Sequence, residues 1–349
     1  MMIFRQLFDV QSSTYTYLLG DLSSKKAIII DPVFEQTNRD SALIEELGLT
    51  LQYSIDTHCH ADHVTASWLL KQRFGCQIGS AAVIQAENTD LHFTQGDVIT
   101  VGDITLEVRA TPGHTDGCLT YVCHSAKLAF TGDTLLIRGC GRCDFQQGSA
   151  SRLFASIKKQ IFTLPDDYTL YPAHDYSGRT STSVLEEKNH NPRIGGLASE
   201  SDFVGYMQNM TLPHPKYIDI ALPANLKSGK TDTDLNLPTW APLTLTYAGI
   251  YEVSPQWVVC SMENIQLVDV RELDEVTMQR VEGAIVIPLA ELKDKYQTLD
   301  KSTPVVALCR SGKRSALAVN MLKQNGFEKV ANVKGGLLNW EFAGLPISH

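Results

Sequence analysis

The sequence predicts an α/β chain in two parts, a four-layered αββα sandwich followed by a small doubly wound domain. Two observations support this prediction. Between residues 15 and 130, alternating strand patterns are broken by turns and flanked by helical patterns, which favours two sheets packed between helices. Beyond residue 260, strands alternate with helices, as in a parallel sheet covered on both faces. At 349 residues, the chain is long enough for two separate cores.

The first domain is predicted to span residues 1–240, with a linker at its end where apolar periodicity is lost, at 224–234. Its clearest strand patterns lie at 15–19, 26–30, 52–56, 104–109 and 118–122. Its helical patterns lie at 41–47, 66–74, 151–162, 184–190 and 201–210. The second helix is expected to end at Gly75, because glycine readily adopts the left-handed conformation that closes a helix.

The second domain is predicted to span residues 241–349. Its strand patterns lie at 266–270, 284–287, 305–308 and 329–333. Its helical patterns lie at 289–296, 314–325 and 337–342. Ligands of such a doubly wound domain are expected at the carboxyl ends of the strands.

Composition limits the kinds of partner. Hydrophobic residues make up 43% and charged residues 20% of the chain, as in ordinary globular proteins. The net charge of −9 argues against nucleic acid or an anionic membrane as the main partner. No apolar run approaches the roughly 18 residues of a membrane-spanning helix. The start lacks the features of a secretory signal, so the eight cysteines are expected to be reduced in the cytoplasm. A homo-oligomer stays open as an alternative to a monomer.

Seven potential metal ligands lie in predicted loops. Four fall in the run THCHADH at 57–63, and three follow in the segments PGH, TGD and PAH. Imidazole and carboxylate groups bind divalent first-row metals, and loops that follow strands can bring them together. Solvated loop histidines are the alternative, which this spacing disfavours. The seven candidates are His58, His60, Asp62, His63, His114, Asp133 and His174.

A second group of reactive residues is the run CRSGKRS at 309–315, between a predicted strand and a predicted helix. Backbone N–H groups and the helix N-terminus are expected to face the thiol of Cys309. The cations Arg310, Lys313 and Arg314 add positive charge, and such surroundings stabilise a thiolate or a persulfide. A buried inert cysteine is the alternative. A phosphatase loop would need five residues between cysteine and arginine, whereas Arg314 follows after four and Ser315 occupies the required place.

The histidine-rich run with its PGH, TGD and PAH segments resembles the metallo-β-lactamase fold. That superfamily includes glyoxalase II, lactamases, nucleases and persulfide dioxygenases, so the fold alone does not define the function. The segment DTLLIRGCGRCDFQQG at 133–148, with 174–176 and 191–193, closely resembles the glutathione persulfide dioxygenases. The likeness extends from about residue 4 to residue 226.

This resemblance implies one iron(II) ion per chain, held by His58, His114 and Asp133. A face of two histidines and one carboxylate leaves positions open for O₂ and a substrate sulfur. The other four candidates form a second metal site in hydrolytic relatives. Here they are expected to hold the iron ligands in place without binding a metal. These four are His60, Asp62, His63 and His174.

The same resemblance implies that Arg142, Tyr176 and Arg193 hold the carboxylates of glutathione, and that Asp144 holds an amine. Arginine suits two-point capture of carboxylates, although each arginine could equally form a structural ion pair. Cys143 departs from the family pattern. It forms a Cys-x-x-Cys pair with Cys140, which without a second such pair is a weak signal for a metal or redox site.

The loop with four residues between Cys309 and Arg314 is similar to that of the rhodanese sulfurtransferases, in which the cysteine carries a persulfide. The segments LVDVRE at 267–272, GAI at 283–285, GGLLNW at 335–340 and GLP at 344–346 are also similar to that family. This likeness covers about residues 250–348. Asp269 and Arg271 are expected to form an ion pair in the core.

Together the two resemblances imply a persulfide dioxygenase–rhodanese fusion of sulfide and persulfide metabolism. The iron domain is expected to oxidise glutathione persulfide with O₂ to sulfite and glutathione. The rhodanese domain is expected to move sulfane sulfur between thiosulfate, glutathione and Cys309, with sulfite as an acceptor. One alternative is a dizinc glutathione-thioester hydrolase, similar to glyoxalase II, fused to a sulfurtransferase. Another is a sulfide-responsive binding module that carries a persulfide without turning it over.

Overall fold

The computed structural model describes residues 1–210, 213, 217–231 and 238–348. The chain divides into two compact units, Met1–Asp234 and Leu235–His349. The boundary expected between residues 240 and 241 stays a prediction. Among the described residues, none of the helices is both long and apolar enough to cross a bilayer.

The described part of the first unit contains two six-stranded sheets. The first sheet follows chain order: β1 (Met2–Asp9), β2 (Thr14–Asp21), β3 (Lys26–Ile30), β4 (Thr50–Ile55), β5 (Gln77–Ala81) and β6 (Leu91–Phe93). The second sheet has the order β12-β11-β10-β9-β8-β7. Its strands are β7 (Val98–Val101), β8 (Ile104–Ala110), β9 (Leu119–Cys123), β10 (Leu128–Gly132), β11 (Thr169–Pro172) and β12 (Thr182–Ser183).

The helices of this unit, in its described residues, are α1 (Thr37–Glu46), α2 (Ser67–Phe74), α3 (Ala150–Ser156), α4 (Val184–His190), α5 (Glu200–Gln208) and α6 (Ile218–Asn225). Serine side chains define several helix starts, because a hydroxyl oxygen can accept a hydrogen bond from an otherwise unpaired N–H of the first turn. Ser183 and Ser199 do so within reciprocal capping boxes. Gly75 ends α2 in the left-handed conformation, as the sequence predicted.

Three apolar clusters define the layers of the first unit. Ile28 of the first sheet and Phe130 of the second lie in the cluster between the sheets. Leu70 of α2 lies in a cluster with the outer face of the first sheet. Leu153 of α3 and Phe203 of α5 lie in a cluster with the outer face of the second sheet. The predicted αββα sandwich is therefore confirmed.

The described part of the second unit has one six-stranded sheet in the order β13-β14-β18-β17-β15-β16. The pairings from β14 to β16 are parallel, and β13 pairs antiparallel with β14. The strands are β13 (Thr244–Leu245), β14 (Tyr251–Val253), β15 (Gln266–Asp269), β16 (Ile285–Val286), β17 (Val305–Leu308) and β18 (Val330–Val333). The helices are α7 (Pro255–Ser261), α8 (Leu273–Met278), α9 (Leu289–Lys295), α10 (Lys313–Gln324) and α11 (Gly336–Phe342).

The central strand β17 shows why this sheet is covered on both faces. Its four residues are all buried, as expected for a parallel strand between two helical layers. Val305 and Ala307 belong to a cluster with α9 and α10, whereas Val306 and Leu308 belong to a cluster with α7 and α11. The predicted doubly wound domain is therefore confirmed.

The structure differs from the sequence analysis at the predicted linker. Part of that stretch is ordered, because α6 ends at Asn225 and the turn after it contacts the rest of the first unit. Pro223 lies inside α6, and proline normally interrupts a helix, which hides this element from sequence reasoning. Residues 232–234 of the predicted linker lie outside the described part of the chain.

Candidate metal centre and candidate thiol loop

The three predicted iron ligands lie after strands of the two sheets of the first unit. His58 follows β4, His114 follows β8 and Asp133 follows β10. All three are buried, and their ligand atoms lie within 4.8 Å of one another. Nε2 of His114 is 3.7 Å from Oδ2 of Asp133. The structure therefore brings these three side chains together in a group that could hold one metal ion.

Hydrogen bonds orient the two imidazole rings. Nδ1 of His58 is 3.0 Å from the hydroxyl of Thr57, which itself donates to Asp31. Because that hydroxyl has one proton, it accepts from Nδ1 of His58 and leaves Nε2 as the ligand atom. Nδ1 of His114 donates to the carbonyl of Arg142 at 2.6 Å, so Nε2 is again the free nitrogen.

The two carboxylate oxygens of Asp133 have different neighbours. Oδ1 accepts a hydrogen bond of 2.7 Å from Nδ1 of His174, whereas Oδ2 faces His114. Burial opposes ionisation, but His174 holds the pKa of Asp133 below its usual range. Two imidazole nitrogens and one ionised carboxylate oxygen form a donor set that suits a divalent first-row metal.

The remaining candidates form a neighbouring group whose ligand atoms also lie within 4.8 Å of one another: His60, Asp62, His63 and His174. Nε2 of His60 is 3.1 Å from Asp31. Among the described residues, no hydrogen-bond partner is found for Nδ1 of His60 or Nε2 of His63. A buried nitrogen without a protein partner is costly, and it fits a centre that binds a metal ion and its associated waters.

The buried imidazoles do not all carry the same charge. Burial lowers the pKa values of His58 and His60 well below the usual range, so both rings are neutral. Burial also opposes the charged form of His174, but the carboxylates of Asp133 and Asp62 raise its pKa well above the usual value. Both nitrogens of His174 lie within hydrogen-bonding distance of these carboxylates, at 2.7 Å from Asp133 and 3.0 Å from Asp62.

The first group opens into a cavity of about 590 Å³. Arg142, Tyr176 and Arg193, three of the predicted glutathione contacts, line this cavity. The carboxylate of Asp144 instead binds the guanidinium of Arg142 through two hydrogen bonds of 2.6 Å. Its predicted contact with an amine stays a prediction. Arg193 donates to the carbonyl of Cys140 at 2.7 Å, which holds its guanidinium at the cavity wall.

Sequence reasoning missed two further cations of this cavity, Arg138 and Arg179. Arg138 forms an ion pair with the fully buried Glu187. Arg179 forms one with the buried Asp175, at 2.9 Å. Glu187 lies 49 residues from Arg138 in the sequence, so that pairing could not be predicted locally, whereas Asp175 is only four residues from Arg179.

The most consequential residue that sequence reasoning missed is Asn225, which lies in the stretch expected to be a linker. Its Nδ2 donates to the carbonyls of His60 at 2.9 Å and His63 at 2.8 Å, and its Oδ1 accepts from the N–H of Thr65 at 2.8 Å. Gly229 has a φ of 80°, and a Cβ there would lie 2.0 Å from the carbonyl oxygen of Thr65. The end of α6 and its following turn therefore hold the loop that carries four of the seven metal candidates.

Cys309, in the second unit, lies between β17 and α10 and is buried. The hydroxyl of Ser315 donates to its sulfur at 3.2 Å. Burial disfavours the thiolate, but this hydroxyl and the N–H groups of Ser315, Ser311 and Gly312 hold the pKa of Cys309 below its ordinary value. The sequence did not predict this bond from Ser315 to the sulfur.

The cations of the thiol loop differ from one another. Arg314 forms a two-point ion pair with Glu275, at 2.6 and 2.8 Å. Arg310 and Lys313 are exposed. The hydrogen bonds to the sulfur are therefore the main cause of the lowered pKa of Cys309. The roles predicted for the three cations stay predictions.

A buried ion pair and a close glycine contact lie beside the start of the thiol loop. Asp269 and Arg271 form the predicted buried ion pair, at 2.6 Å. Gly336 lies against the loop, where a Cβ would come within 2.4 Å of the carbonyl oxygen of Cys309 and 2.6 Å of the N–H nitrogen of Gly312. Gly336, the first residue of α11, therefore permits a close approach that no larger residue allows.

The chain matches two family models, the metallo-beta-lactamase superfamily over residues 10–174 and the rhodanese-like domain over residues 254–343. The mitochondrial persulfide dioxygenase ETHE1 of Homo sapiens is 52% identical over 228 residues, which are 65% of this chain and 89% of that protein. The crystal structure of ETHE1 from Myxococcus xanthus, at 48% identity, matches 65% of this chain and 100% of its own, with a TM-score of 0.63.

A metallo-beta-lactamase structure from Staphylococcus aureus is 23% identical and matches 95% of this chain and 98% of its own, with a TM-score of 0.61. At this identity it shows a shared fold alone. The identity to persulfide dioxygenases, together with the grouped histidines and aspartate, is the stronger finding. The chain therefore belongs to the persulfide dioxygenase family of the metallo-β-lactamase superfamily, with a rhodanese-like domain following the metallo-β-lactamase domain.

Proposed function

We propose that the first unit is an iron-dependent dioxygenase that oxidises glutathione persulfide. The reaction is glutathione persulfide plus O₂ and water giving glutathione, sulfite and two protons. The observation that carries this proposal is the convergence of His58, His114 and Asp133 at one wall of a large cavity. Membership of the persulfide dioxygenase family supports it.

One iron(II) ion would be held by Nε2 of His58, Nε2 of His114 and Oδ2 of Asp133. When bound, iron supplies the redox chemistry that joins O₂ to a sulfur atom. The protein fixes the tautomers and the charge of these ligand groups. Thr57 and the carbonyl of Arg142 fix the tautomers of the two histidines, and His174 keeps Asp133 ionised.

Glutathione persulfide is the proposed substrate because it is anionic and of suitable size. The cavity of about 590 Å³ lies within the range of small-molecule sites. The guanidinium groups of Arg142 and Arg193 would bind the carboxylates of glutathione, and Tyr176 would lie beside them. These side chains would orient the persulfide sulfur toward the metal ligands.

The second unit is proposed to transfer sulfane sulfur. The thiolate of Cys309 would attack the sulfane sulfur of thiosulfate, the S–S bond would break, and sulfite would leave. A glutathione thiolate would then take the sulfur from the Cys309 persulfide and regenerate the thiolate. Arg310 and Lys313 are exposed and suit the approach of these anions. Sulfite from the dioxygenase is an acceptor for the same persulfide, which links the two reactions chemically.

The second candidate is a dizinc hydrolase of glutathione thioesters. It is favoured by one observation, that the four remaining metal candidates also converge within 4.8 Å. Metal analysis separates the two candidates, since the dioxygenase holds about one iron per chain and the hydrolase two zinc ions. A cytoplasmic location and a homo-oligomer stay predictions.

The experiment that tests the proposed function is O₂ uptake by the iron-loaded protein with glutathione persulfide. We expect O₂ to be consumed and sulfite to form in equal amounts. A protein that contains stoichiometric iron but consumes no O₂ with this substrate would contradict the proposal.

A further inference from the structure

Asn332 of the second unit is a polar residue in a buried strand. All four residues of β18 are buried, and the other three are apolar. Nδ2 of Asn332 lies 2.9 Å from Oε1 of Glu252 on β14 and 3.2 Å from the carbonyl oxygen of Gly312 in the thiol loop. Among the described residues, no hydrogen-bond partner is found for its Oδ1. A buried oxygen without a partner costs stability, so packing alone does not account for an amide at this position.

The two contacts decide how this amide is oriented. Carboxylate and carbonyl oxygens accept hydrogen bonds, so the NH₂ end of Asn332 faces Glu252 and Gly312 and its oxygen points away from them. Nδ2 carries two protons, one for each acceptor. A reversed amide would place its oxygen against two other oxygens, and an apolar side chain would supply neither bond. Asparagine suits this place because a short side chain has to donate twice.

Gly312 lies where the thiol loop meets α10, and its φ is 86°. Glycine has no side chain, so its backbone rotates easily unless its polar atoms are held. Its carbonyl oxygen is held from two sides, by the N–H of Ala316 in α10 at 3.1 Å and by Asn332. Its N–H is one of the donors to the sulfur of Cys309. Asn332 and Cys309 therefore contact the two polar ends of the same residue.

The amide can be replaced without changing the charges around the thiol loop. Asn332 is neutral, so a neutral substitute leaves every charged side chain in place. These side chains belong to the loop and α10, to the start of α8, to the end of β15 and to β14: Arg310, Lys313, Arg314, Glu272, Glu275, Asp269, Arg271 and Glu252. A change in the ionisation of Cys309 on replacing Asn332 is then due to the hydrogen bonds and not to a lost charge.

We infer that Asn332 is a positioning residue of the thiol loop. It holds the carbonyl of Gly312, so that the N–H of Gly312 stays directed at the sulfur of Cys309 and favours the charged form of that sulfur. Asn332 acts through Gly312 and does not itself contact the sulfur. The inference rests on the proposed function only in treating the thiolate of Cys309 as the sulfur carrier.

The test is the pH dependence of alkylation by iodoacetamide in the full chain, followed by mass spectrometry at the peptide that contains Cys309. Asn332→Ala should raise the pKa of this thiol and lower its rate of alkylation at pH 7 about 2- to 10-fold, as for loss of one hydrogen bond. Asn332→Leu fills the space that alanine leaves, so an effect shared by both variants belongs to the lost donor. Asn325→Ala is the matched control, because Asn325 donates to the carbonyl of Met321 at the other end of α10.

Two results overturn the inference. One is a lowered melting temperature of both Asn332 variants with an unchanged pH profile, which is the outcome of a merely structural role. The other needs no Asn332 variant to fold. In wild type labelled with ¹⁵N-glycine, the amide resonance of Gly312 should shift as Cys309 ionises, and in Cys309→Ser it should not. A Gly312 resonance that does not respond in wild type overturns the inference.

Sulfur transfer from thiosulfate by wild type tests the proposed function separately. A shifted pH profile in the Asn332 variants without sulfur transfer in wild type contradicts the role of Cys309 as sulfur carrier alone. Normal sulfur transfer in wild type with an unchanged pH profile in the variants contradicts the role of Asn332 alone.

Discussion

The metal centre and the thiol loop hold their reactive groups in different ways. The metal candidates come from loops after β4, β8, β10 and β11, which are far apart in the sequence. The hydrogen bonds to the sulfur of Cys309 come from within the next six residues. A site made by one loop needs only that loop and its supports, whereas a convergent site needs two sheets in register. We therefore expect loss of one metal ligand to abolish the metal centre, and loss of one neutral hydrogen-bond donor to weaken the thiol loop by degrees.

The two sites also stabilise negative charge differently. The buried carboxylate of Asp133 is held ionised by His174 beside it. The thiolate of Cys309 is held by neutral hydroxyl and N–H groups. Removing one charged partner from a buried pair leaves an uncompensated charge, but removing one of several neutral donors does not.

The largest effect is expected from loss of a proposed iron ligand. Asp133→Ala should remove iron and reduce O₂ consumption to background, because a divalent ion loses its only carboxylate ligand. His58→Ala and His114→Ala should behave alike. Iron per chain and O₂ uptake measure this, and thiosulfate sulfurtransferase activity should persist. Asp167→Ala, at a surface ion pair with Lys127, is the control. Iron retained with turnover in Asp133→Ala would show that the ligand set is wrong.

In the second unit, replacing Cys309 is expected to remove sulfurtransferase activity and leave persulfide oxidation intact. Cys309→Ser should lower sulfurtransferase activity by at least about 10³-fold, because a hydroxyl cannot carry sulfane sulfur. The variant should still oxidise added glutathione persulfide at a near wild-type rate. With thiosulfate and glutathione supplied instead, wild type should consume O₂ and the variant should not.

The control for this variant is Cys260→Ser, at an exposed cysteine of the same unit. Equal O₂ consumption from thiosulfate by Cys309→Ser and wild type would mean that Cys309 is not the sulfur carrier. The two reactions would then share a chain without sharing a substrate.

A smaller effect is expected at the cavity wall. Arg193→Ala or Arg142→Ala should raise KM for glutathione persulfide with little change in kcat, because a carboxylate contact acts on the bound substrate and the transition state alike. Loss of one charge-assisted contact should cost about 1.5–3 kcal/mol, or about 10- to 150-fold. Arg73→Ala, at a surface ion pair with Glu45, is the control. An unchanged KM in both variants would place glutathione elsewhere.

Loss of the hydrogen bonds from Asn225 to the ligand loop should lower iron affinity about 10- to 100-fold, as for other residues that support metal ligands. Asn225→Ala removes three hydrogen bonds to that loop. Asn225→Asp keeps the acceptor for Thr65, so its iron affinity should lie between those of wild type and Asn225→Ala. Competition with a chelator measures the affinity. Leu226→Ala, at the exposed neighbouring residue, should match wild type. An unchanged iron affinity in Asn225→Ala would mean that these hydrogen bonds are not needed to position the loop.

The smallest effect is expected from one neutral donor of the thiol loop. The hydroxyl of Ser315 stabilises the thiolate, so Ser315→Ala should raise the pKa of Cys309 toward its ordinary value. At pH 7 the thiolate fraction, and with it the rate of alkylation, should fall about 2- to 10-fold. Above both pKa values the two rates should converge. Ser302→Ala is the control, and an unchanged pH profile of Ser315→Ala would assign the lowered pKa to the backbone N–H groups alone.

The sequence by itself determined the fold class, most of the strands and helices, and both groups of candidate residues. Strand 305–308 and the helix after it were predicted within a residue or two, because a buried parallel strand is an unbroken apolar run and a helix repeats every 3.6 residues. The thiol loop could be identified because its residues are contiguous in the sequence. The metal candidates could be identified because their histidines and aspartates lie in short motifs in loops that follow strands.

Only the tertiary structure decided how these residues are used. The contacts of Thr14 with His174, and those of Asn225 with His60, join residues about 160 positions apart, and no local pattern records such pairs. The pairing of Asp144 with Arg142 and of Glu275 with Arg314 likewise depends on where each side chain points. Local periodicity reports which face of an element is buried. Which polar atoms meet inside is set by the packing of whole sheets and helices, because a hydrogen bond needs its two atoms about 3 Å apart.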